Sequence, residues 1–298
     1  MRLFSLLALA TSAFAAPAMA QSAAPHLDLT TDAGSIEAMV KMRCSLDQKE
    51  DVILWWNGTV FAQLPSKAPS PLFGFEGYNI CRAEKQRDGV WRLLTRELTF
   101  YRDLKTGKII DQWDNTFTGE RNNVLQVAND PVNTVLNPPG RPSVMPWVEA
   151  GDQLMLTLNI PLAYPNPLQP KDFPKQSSGE TYVGSEHFMF FVPRADIDNP
   201  AVKQASVVYG WTRIGPWLPW MEMGQAAGNL LYVAQGNKKA SINELPADIQ
   251  ARVRTTYPEY ATAPKKWVQP NMTSWTVYKQ WSEQQQKPKP KAKPRKSK

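Results

Sequence analysis

The chain has 298 residues, enough for one large domain or two small ones with ample core. Its 34 Lys and Arg against 27 Asp and Glu give a formal charge of +7, with eleven Trp, eleven Phe and nine Tyr. Arg2 and seven basic residues in the last twelve account for that excess; without them 26 basic face 27 acidic residues, so the body lacks the basic surface that nucleic-acid binding needs.

Met1 and Arg2, an apolar run from Leu3 to Ala16, and Ala18-Met19-Ala20 before Gln21 have the layout of a secretory signal peptide cleaved near Ala20. The expected organisation is residues 1–20 as signal, 21–286 as one β-rich domain, and 287–298 as a basic Lys/Pro tail. The expected location is the periplasm or outside the cell. The first cysteine, Cys44, lies too far from the cleavage site for a lipid anchor, and no later apolar run reaches the roughly 18 residues of a membrane helix. An uncleaved signal acting as an anchor is the alternative. An oxidising compartment permits a Cys44–Cys81 disulfide, with two separate buried thiols as the other outcome.

Asp32 to Val40 reads as a helix with Ile36, Met39 and Val40 on one face. The period then falls to two. Asp51 to Trp56, Asn57-Gly58, and Thr59 to Gln63 predict a hairpin closed by a type I′ turn. Leu72 to Glu84 and Val90 to Arg102 read as strands about Asp88-Gly89, followed by Lys108 to Trp113 and Asn123 to Asn129. Residues 131–174 carry ten prolines and are expected to wrap the surface or cover an opening, with a strand only at Gln153 to Ile160. Strands are expected at His187 to Val192, Ala205 to Arg213, Leu230 to Gln235 and Thr273 to Lys279, with a helix from Pro246 to Thr255. The sum is a mainly β fold: an antiparallel meander closing into a barrel or strongly curved sandwich, with two short peripheral helices.

Motifs of well-known chemistry are missing. There is no phosphate loop, no dinucleotide fingerprint, no G-x-S-x-G elbow and no H-E-x-x-H; with two histidines, no three-histidine zinc site can form. No cofactor and no metal are expected. His187, the one histidine of the body, is a candidate base with Glu76 or Glu97 as its carboxylate partner, or a hydrogen-bonded strand residue. Glu76, Asn79, Arg96 and Glu97 form a polar set on predicted strands that is a candidate to fix a ligand; Arg96, Glu76 and Asn115 are candidates to orient its polar groups, Arg213 is a further binding candidate, and Trp113, Trp211, Trp217, Trp220 and Met221 are candidates to supply apolar walls. The alternatives are ion pairs for the charged residues, a locked turn for Asn115, and a plug of one barrel end or a membrane contact for the segment from Trp211 to Met223.

Four pieces in order resemble a family of uncharacterised bacterial proteins, the domain of unknown function numbered 1838. They are Lys41-Met42-Arg43 with Ser45-Leu46-Asp47, the W-x-N-x-x-T-G-E turn from Trp113 to Glu120, Pro216-Trp217 with Pro219-Trp220-Met221 and Met223-Gly224, and Thr273-Ser274-Trp275-Thr276. The resemblance spans roughly residues 30 to 281. It implies an exported or envelope-associated β-rich domain and no particular reaction. The leading expectation is a protein that binds a small, partly apolar molecule. The alternatives are a hydrolase or isomerase using His187 with a carboxylate, and a structural envelope protein whose tail contacts anionic surfaces.

Overall fold

A computed structural model describes residues 26–141 and 143–286. The expected signal peptide and basic tail lie outside these residues. In chain order the elements are α1 (Asp32–Arg43), β1 (Val52–Gln63), β2 (Ser70–Lys85), β3 (Trp91–Arg102), β4 (Gln112–Asp114), β5 (Arg121–Asn123), β6 (Val127–Asn129), β7 (Thr134–Leu136), β8 (Trp147–Ala150), β9 (Gln153–Pro165), β10 (Thr181–Pro193), α2 (Arg194–Asp198), β11 (Val208–Gly215), β12 (Asn229–Lys239), α3 (Ala247–Thr255) and α4 (Ser274–Gln286).

Ten of these strands form one antiparallel sheet in the order β6-β3-β2-β1-β12-β11-β10-β9-β8, with β7 also pairing β3. The fold is mainly β as expected, but the sheet is not a closed barrel: its end strands β6 and β8 do not pair. The sheet curls, and packed elements bridge the gap. At one end α1 brings Ile36, Met39, Val40 and Met42 against Leu93 of β3 and Leu136 of β7 on one side, and against Leu154, Leu156, Phe190 and Val192 of β9 and β10 on the other. At the other end Trp275 and Tyr278 of α4, with Trp217, Trp220 and Met221, fill the space between Phe73 and Tyr101 on one wall and Tyr182 on the other. On the convex face Leu245, Ile249 and Val253, the predicted apolar stripe around α3, cover Ile53, Ile80, Leu98 and Phe100.

Several expectations are corrected. Asn57-Gly58 is not a turn. β1 runs straight through it, with Gly58 paired to Phe75 on one side and Ala234 on the other. A Cβ there would collide with the Val233 carbonyl, so this glycine serves a close approach of strands where the sheet bends. Residues 273–279 are not a strand but the start of α4. Thr273 Oγ1 accepts the Thr276 amide at 3.2 Å as an N-cap, and Trp275 and Tyr278 share the buried face at helical spacing. Helices α2 and α4 therefore raise the helix count above the expected two.

The proline-rich stretch holds three strands, β7, β8 and β9. β9 passes through Pro161, because beyond Leu156 it pairs only β10 and its other edge needs no amide donors. The expected strand at Asn123 to Asn129 is two short ones, since β5 pairs β4 in a separate ribbon whereas β6 pairs β3. Of Lys108 to Trp113 only a bridge at Ile109 and the start of β4 remain extended in pairing.

Cys44 and Cys81 are joined by a disulfide, with Cα atoms 5.6 Å apart, tying the end of α1 to β2. The same helix end is held by Lys238 of β12, whose Nζ donates to the Lys41 carbonyl at 2.6 Å and the Cys44 carbonyl at 3.1 Å. Burial pushes this ammonium down to about 7. Lys41 itself is fully buried and donates to the Ile197 carbonyl at 2.7 Å, anchoring α1 on α2.

Candidate functional site

Inside the curl, between α1 and the Trp275 end, lies a cavity of about 410 Å³. Strand parity decides what faces it. Asn79, Glu97 and Asn129 stand directly opposite one another on β2, β3 and β6, forming a polar row across three strands. Glu186 and Arg213 are cross-strand partners on β10 and β11 and face the same space from the other wall. Apolar surface comes from Leu54, Trp56, Ile160, Leu162, Phe188, Phe190 and Trp211. Ile160, Leu162 and Tyr164, on the stretch of β9 that pairs only β10, and the segment from Asn271 to Trp275 complete the lining. That segment is fixed in place: the Asn133 amide donates to Asn271 Oδ1 at 2.9 Å, Asn271 Nδ2 to the Asn133 carbonyl at 2.8 Å, and the Met272 amide to the Pro131 carbonyl at 2.8 Å.

The charges are unequally satisfied. Arg213 Nε lies 3.5 Å from Glu186 Oε1, its Nη2 donates to the Tyr182 hydroxyl, and the guanidinium sits 5.4 Å from the Tyr232 ring centre and 5.8 Å from that of Trp275. Burial opposes its charge, but Tyr182, Glu186 and Tyr232 hold it well above the usual arginine range. Glu97 is different. Its free surface opens onto the cavity, and burial, reinforced by the nearby Glu186 charge, pushes it up to about 7 against the pull of Arg213 and Asn129.

Arg43, carried in by the last residue of α1, has no ion pair or side-chain hydrogen bond among the described residues, and its buried Nε is orphaned. Burial lowers its affinity for the proton, offset in part by Tyr209 and Glu186. Asn79 Oδ1, Asn129 Oδ1 and Trp211 Nε1 are also buried without partners. Interiors rarely leave such groups unmet, so their convergence on one space marks it as a place where something else binds.

The residues expected from sequence divide sharply. Asn79, Glu97, Trp211 and Arg213 line the cavity; the others do not. His187 is exposed on the convex face, with Nδ1 2.9 Å from Asn159 Oδ1, because it has the parity of Ser185 and Met189 rather than that of Glu186 and Phe188. Glu76 is also on the convex side, held by Trp55 Nε1 at 2.8 Å and Arg102 at 2.8 Å. The expected union of His187 with Glu76 or Glu97 is therefore not formed. Arg96 pairs with Asp130 at 3.3 Å, donates to the Glu259 carbonyl and lies 5.7 Å from the Tyr260 ring centre, all on the convex side.

Asn115 locks its own turn, accepting the Phe117 amide at 2.9 Å, and donates to the Met221 carbonyl at 2.7 Å. Trp113 packs edge-on against Phe73 and Trp220, with ring centres 5.7 and 5.9 Å apart, and Trp217 donates to the Ala226 carbonyl at 3.0 Å. Two of the four motifs therefore interlock as a plug of aromatic side chains, and the other two deliver Arg43 and Trp275 to the cavity. Arg43, Asn129 and Glu186 were not singled out from sequence; Asn79 was, in the polar set with Glu76, Arg96 and Glu97. For Glu186 a signal existed: it shares strand parity with Tyr182, Phe188, Phe190 and Val192.

The molecule is thus an open, curled antiparallel sheet enclosing a cavity of mixed polarity. Residues 49–282 match the family described as "Protein of unknown function (DUF1838)", and the chain belongs to that family. No curated protein matches the chain. The solved crystal structure of MucB in complex with MucA(peri) is 11% identical over 78% of this chain and 98% of that one; its TM-score of 0.12 is too low to carry an argument.

Proposed function

We propose that this is an exported protein that binds a small, partly apolar molecule in the cavity of its curled sheet. The observation that carries the reading is the set of orphaned polar atoms, from Arg43, Asn79, Asn129 and Trp211, converging on a space that also carries a wall of aromatic and aliphatic side chains. A volume of about 410 Å³ falls in the range of small-molecule sites. Export is supported by the residues before Gln21 and by the Cys44–Cys81 bridge. Trp56, Trp211 and Trp275 line the cavity, so intrinsic fluorescence is the direct assay. A panel of lipids, sterols and aromatic compounds is expected to contain at least one giving a saturable change; a panel without one refutes the reading.

A second reading is favoured by Glu97 alone. A carboxyl pushed up to about 7 in a walled space can exchange a proton with a bound carbon acid, as an isomerase requires. The test is exchange of α-protons of 2-decanone in deuterated buffer. Exchange by the wild type that is lost in Glu97→Gln supports it, and no exchange by the wild type refutes it.

The Lys/Pro stretch at residues 287–298 suits weak attachment to anionic envelope surfaces. Cosedimentation with anionic vesicles that is unchanged when these residues are deleted removes that element.

A further inference from the structure

We infer that the ligand of this cavity is a monoanionic organic acid, its carboxylate seated against Arg43 and its apolar body lying along Trp56, Leu162, Phe188 and Trp211. This rests on the binding reading above and names the class of molecule bound.

The argument begins with charge. Two guanidiniums face the cavity, Arg43 and Arg213, and two carboxyls, Glu97 and Glu186. Glu186 is engaged by Arg213 at 3.5 Å. Glu97, pushed up to about 7 by burial and the Glu186 charge, is only partly ionised near neutral pH and is a weak counter-ion. Among the described residues Arg43 makes no ion pair of its own and shares only the more distant Glu186 charge, so the cavity carries a surplus of positive charge. Arginine does not escape burial by losing its proton, so a half-buried guanidinium whose Nε meets no partner among the described residues carries a desolvation cost. Such a cost is relieved when an anion enters.

Hydrogen-bond chemistry points the same way. Among the described residues Arg43 Nε, Trp211 Nε1, Arg213 Nε and Trp275 Nε1 are donors without a hydrogen-bond acceptor, and of the two guanidiniums Arg43 is the one with no carboxylate or hydroxyl at its other nitrogens. A carboxylate is acceptor-only and has room for several donors, and the planar guanidinium fork matches it. The orphaned acceptors, Asn79 Oδ1 and Asn129 Oδ1, belong to the row that contains Glu97, whose protonated carboxyl is itself a donor. One proton serves only one of these two oxygens at a time, so the other stays open to a further donor.

Size and polarity exclude an inorganic anion as the natural occupant. A space of about 410 Å³ whose polar row faces an apolar wall of Leu54, Trp56, Leu162, Phe188, Phe190 and Trp211 leaves that wall untouched by sulfate or phosphate. A single surplus positive charge also matches a monoanion better than a dianionic phosphomonoester.

The test is calorimetric titration of the full chain with matched probes: decanoate, decanol and decylamine, and 2-naphthoate with its alcohol and amine counterparts. At least one acid is expected to bind ~10-fold or more tightly than its alcohol, with no binding of the amine. In Arg43→Met that acid should weaken ~10- to 100-fold, to the level of the alcohol, while the alcohol itself shifts less than ~3-fold. The melting temperature of ligand-free Arg43→Met should hold or rise, because a half-buried charge without a carboxylate partner has been removed. Arg43→Gln is carried in parallel and answers the same question if the methionine variant does not fold.

An alcohol binding as tightly as its acid, or an acid preference that survives both substitutions, overturns the inference and leaves the binding reading standing. Silence of every acid while some compound of the wider panel binds has the same meaning. Silence of all probes and of the wider panel overturns both.

Discussion

Replacing Glu97 with glutamine removes the one carboxyl that the cavity holds far from its ordinary value. In the folded protein it titrates at about 7, against a reference of 4.5. Between those two pH values the native state keeps the proton and the unfolded chain has released it. Stability therefore falls as pH rises through this window, and the loss is complete above about 7. A separation of about 2.5 pH units corresponds to at most about 3 kcal/mol; water in the cavity reduces this to the order of 1–3 kcal/mol. Glutamine fills the same space without a charge, so Glu97→Gln should show no such fall and should exceed the wild type by that amount at pH 8.

The assay is urea unfolding followed by tryptophan fluorescence at pH 5, 6, 7 and 8, read as the difference between the two proteins. The difference is the right quantity because Lys238 works in the opposite direction. Its ammonium, pushed down to about 7, contributes stability that grows as pH rises from 7 toward 10.5. That contribution is common to both proteins and cancels. A difference that is flat between pH 5 and 8, within about 0.5 kcal/mol, refutes the description of Glu97 as a desolvated carboxyl beside Glu186.

Cys44→Ala with Cys81→Ala should cost roughly 3–4 kcal/mol through the loop the bridge closes, and the denatured, unreduced wild type should show no free thiol on titration. Gly236→Ala should destabilise by about 2 kcal/mol or more, read from the urea midpoint, because its Cβ would collide with the Trp55 carbonyl and the Tyr209 ring at the bend of the sheet. His187→Ala should leave the affinity of any cavity ligand within about 2-fold of wild type, since the imidazole lies on the opposite face of β10. A larger loss on titration would place His187 in the site after all.

Much of this fold is written locally. The turn at Asp88-Gly89 is present, with both residues at positive φ, and it connects the two long strands expected on either side. The helix beginning near Asp32 starts where the pattern indicates, with Thr31 Oγ1 accepting the Gly34 amide at 3.1 Å. The stripe of Leu245, Ile249 and Val253 is buried as its spacing requires. Where local reading failed, two physical demands competed for one signal. Asn57-Gly58 satisfies a tight turn and also a close crossing of strands, and only the neighbours Phe75 and Ala234 decide between them. Thr273 to Lys279 alternates with period two but also places Trp275 and Tyr278 at helical spacing, and the cap made by Thr273 tips the balance.

The site was legible in part. Trp211 and Arg213 share a face of β11, and Glu97 was among the candidates. On β3 parity could not orient Glu97, because both faces of that strand are buried: Leu93 and Tyr101 pack inward, and Leu98 and Phe100 pack beneath α3. His187 and Glu76 attracted attention by chemical type rather than by position, and both point away from the cavity.

By itself the sequence determined what depends on near neighbours: the antiparallel strands, most of their ends, the apolar face of α3 and the neutrality of the body once its terminal charges are set apart. Only the tertiary structure decided that Arg43, Asn79, Glu97, Asn129, Glu186 and Arg213 face one space. These residues come from α1 and from five strands, and nothing local records how a sheet will curl. The curl arises from strand twist and from close approaches at residues such as Gly58 and Gly236, with α1 and α4 wedged between its walls. Whether a guanidinium finds a partner or stands alone is settled across that gap, between residues far apart in the chain.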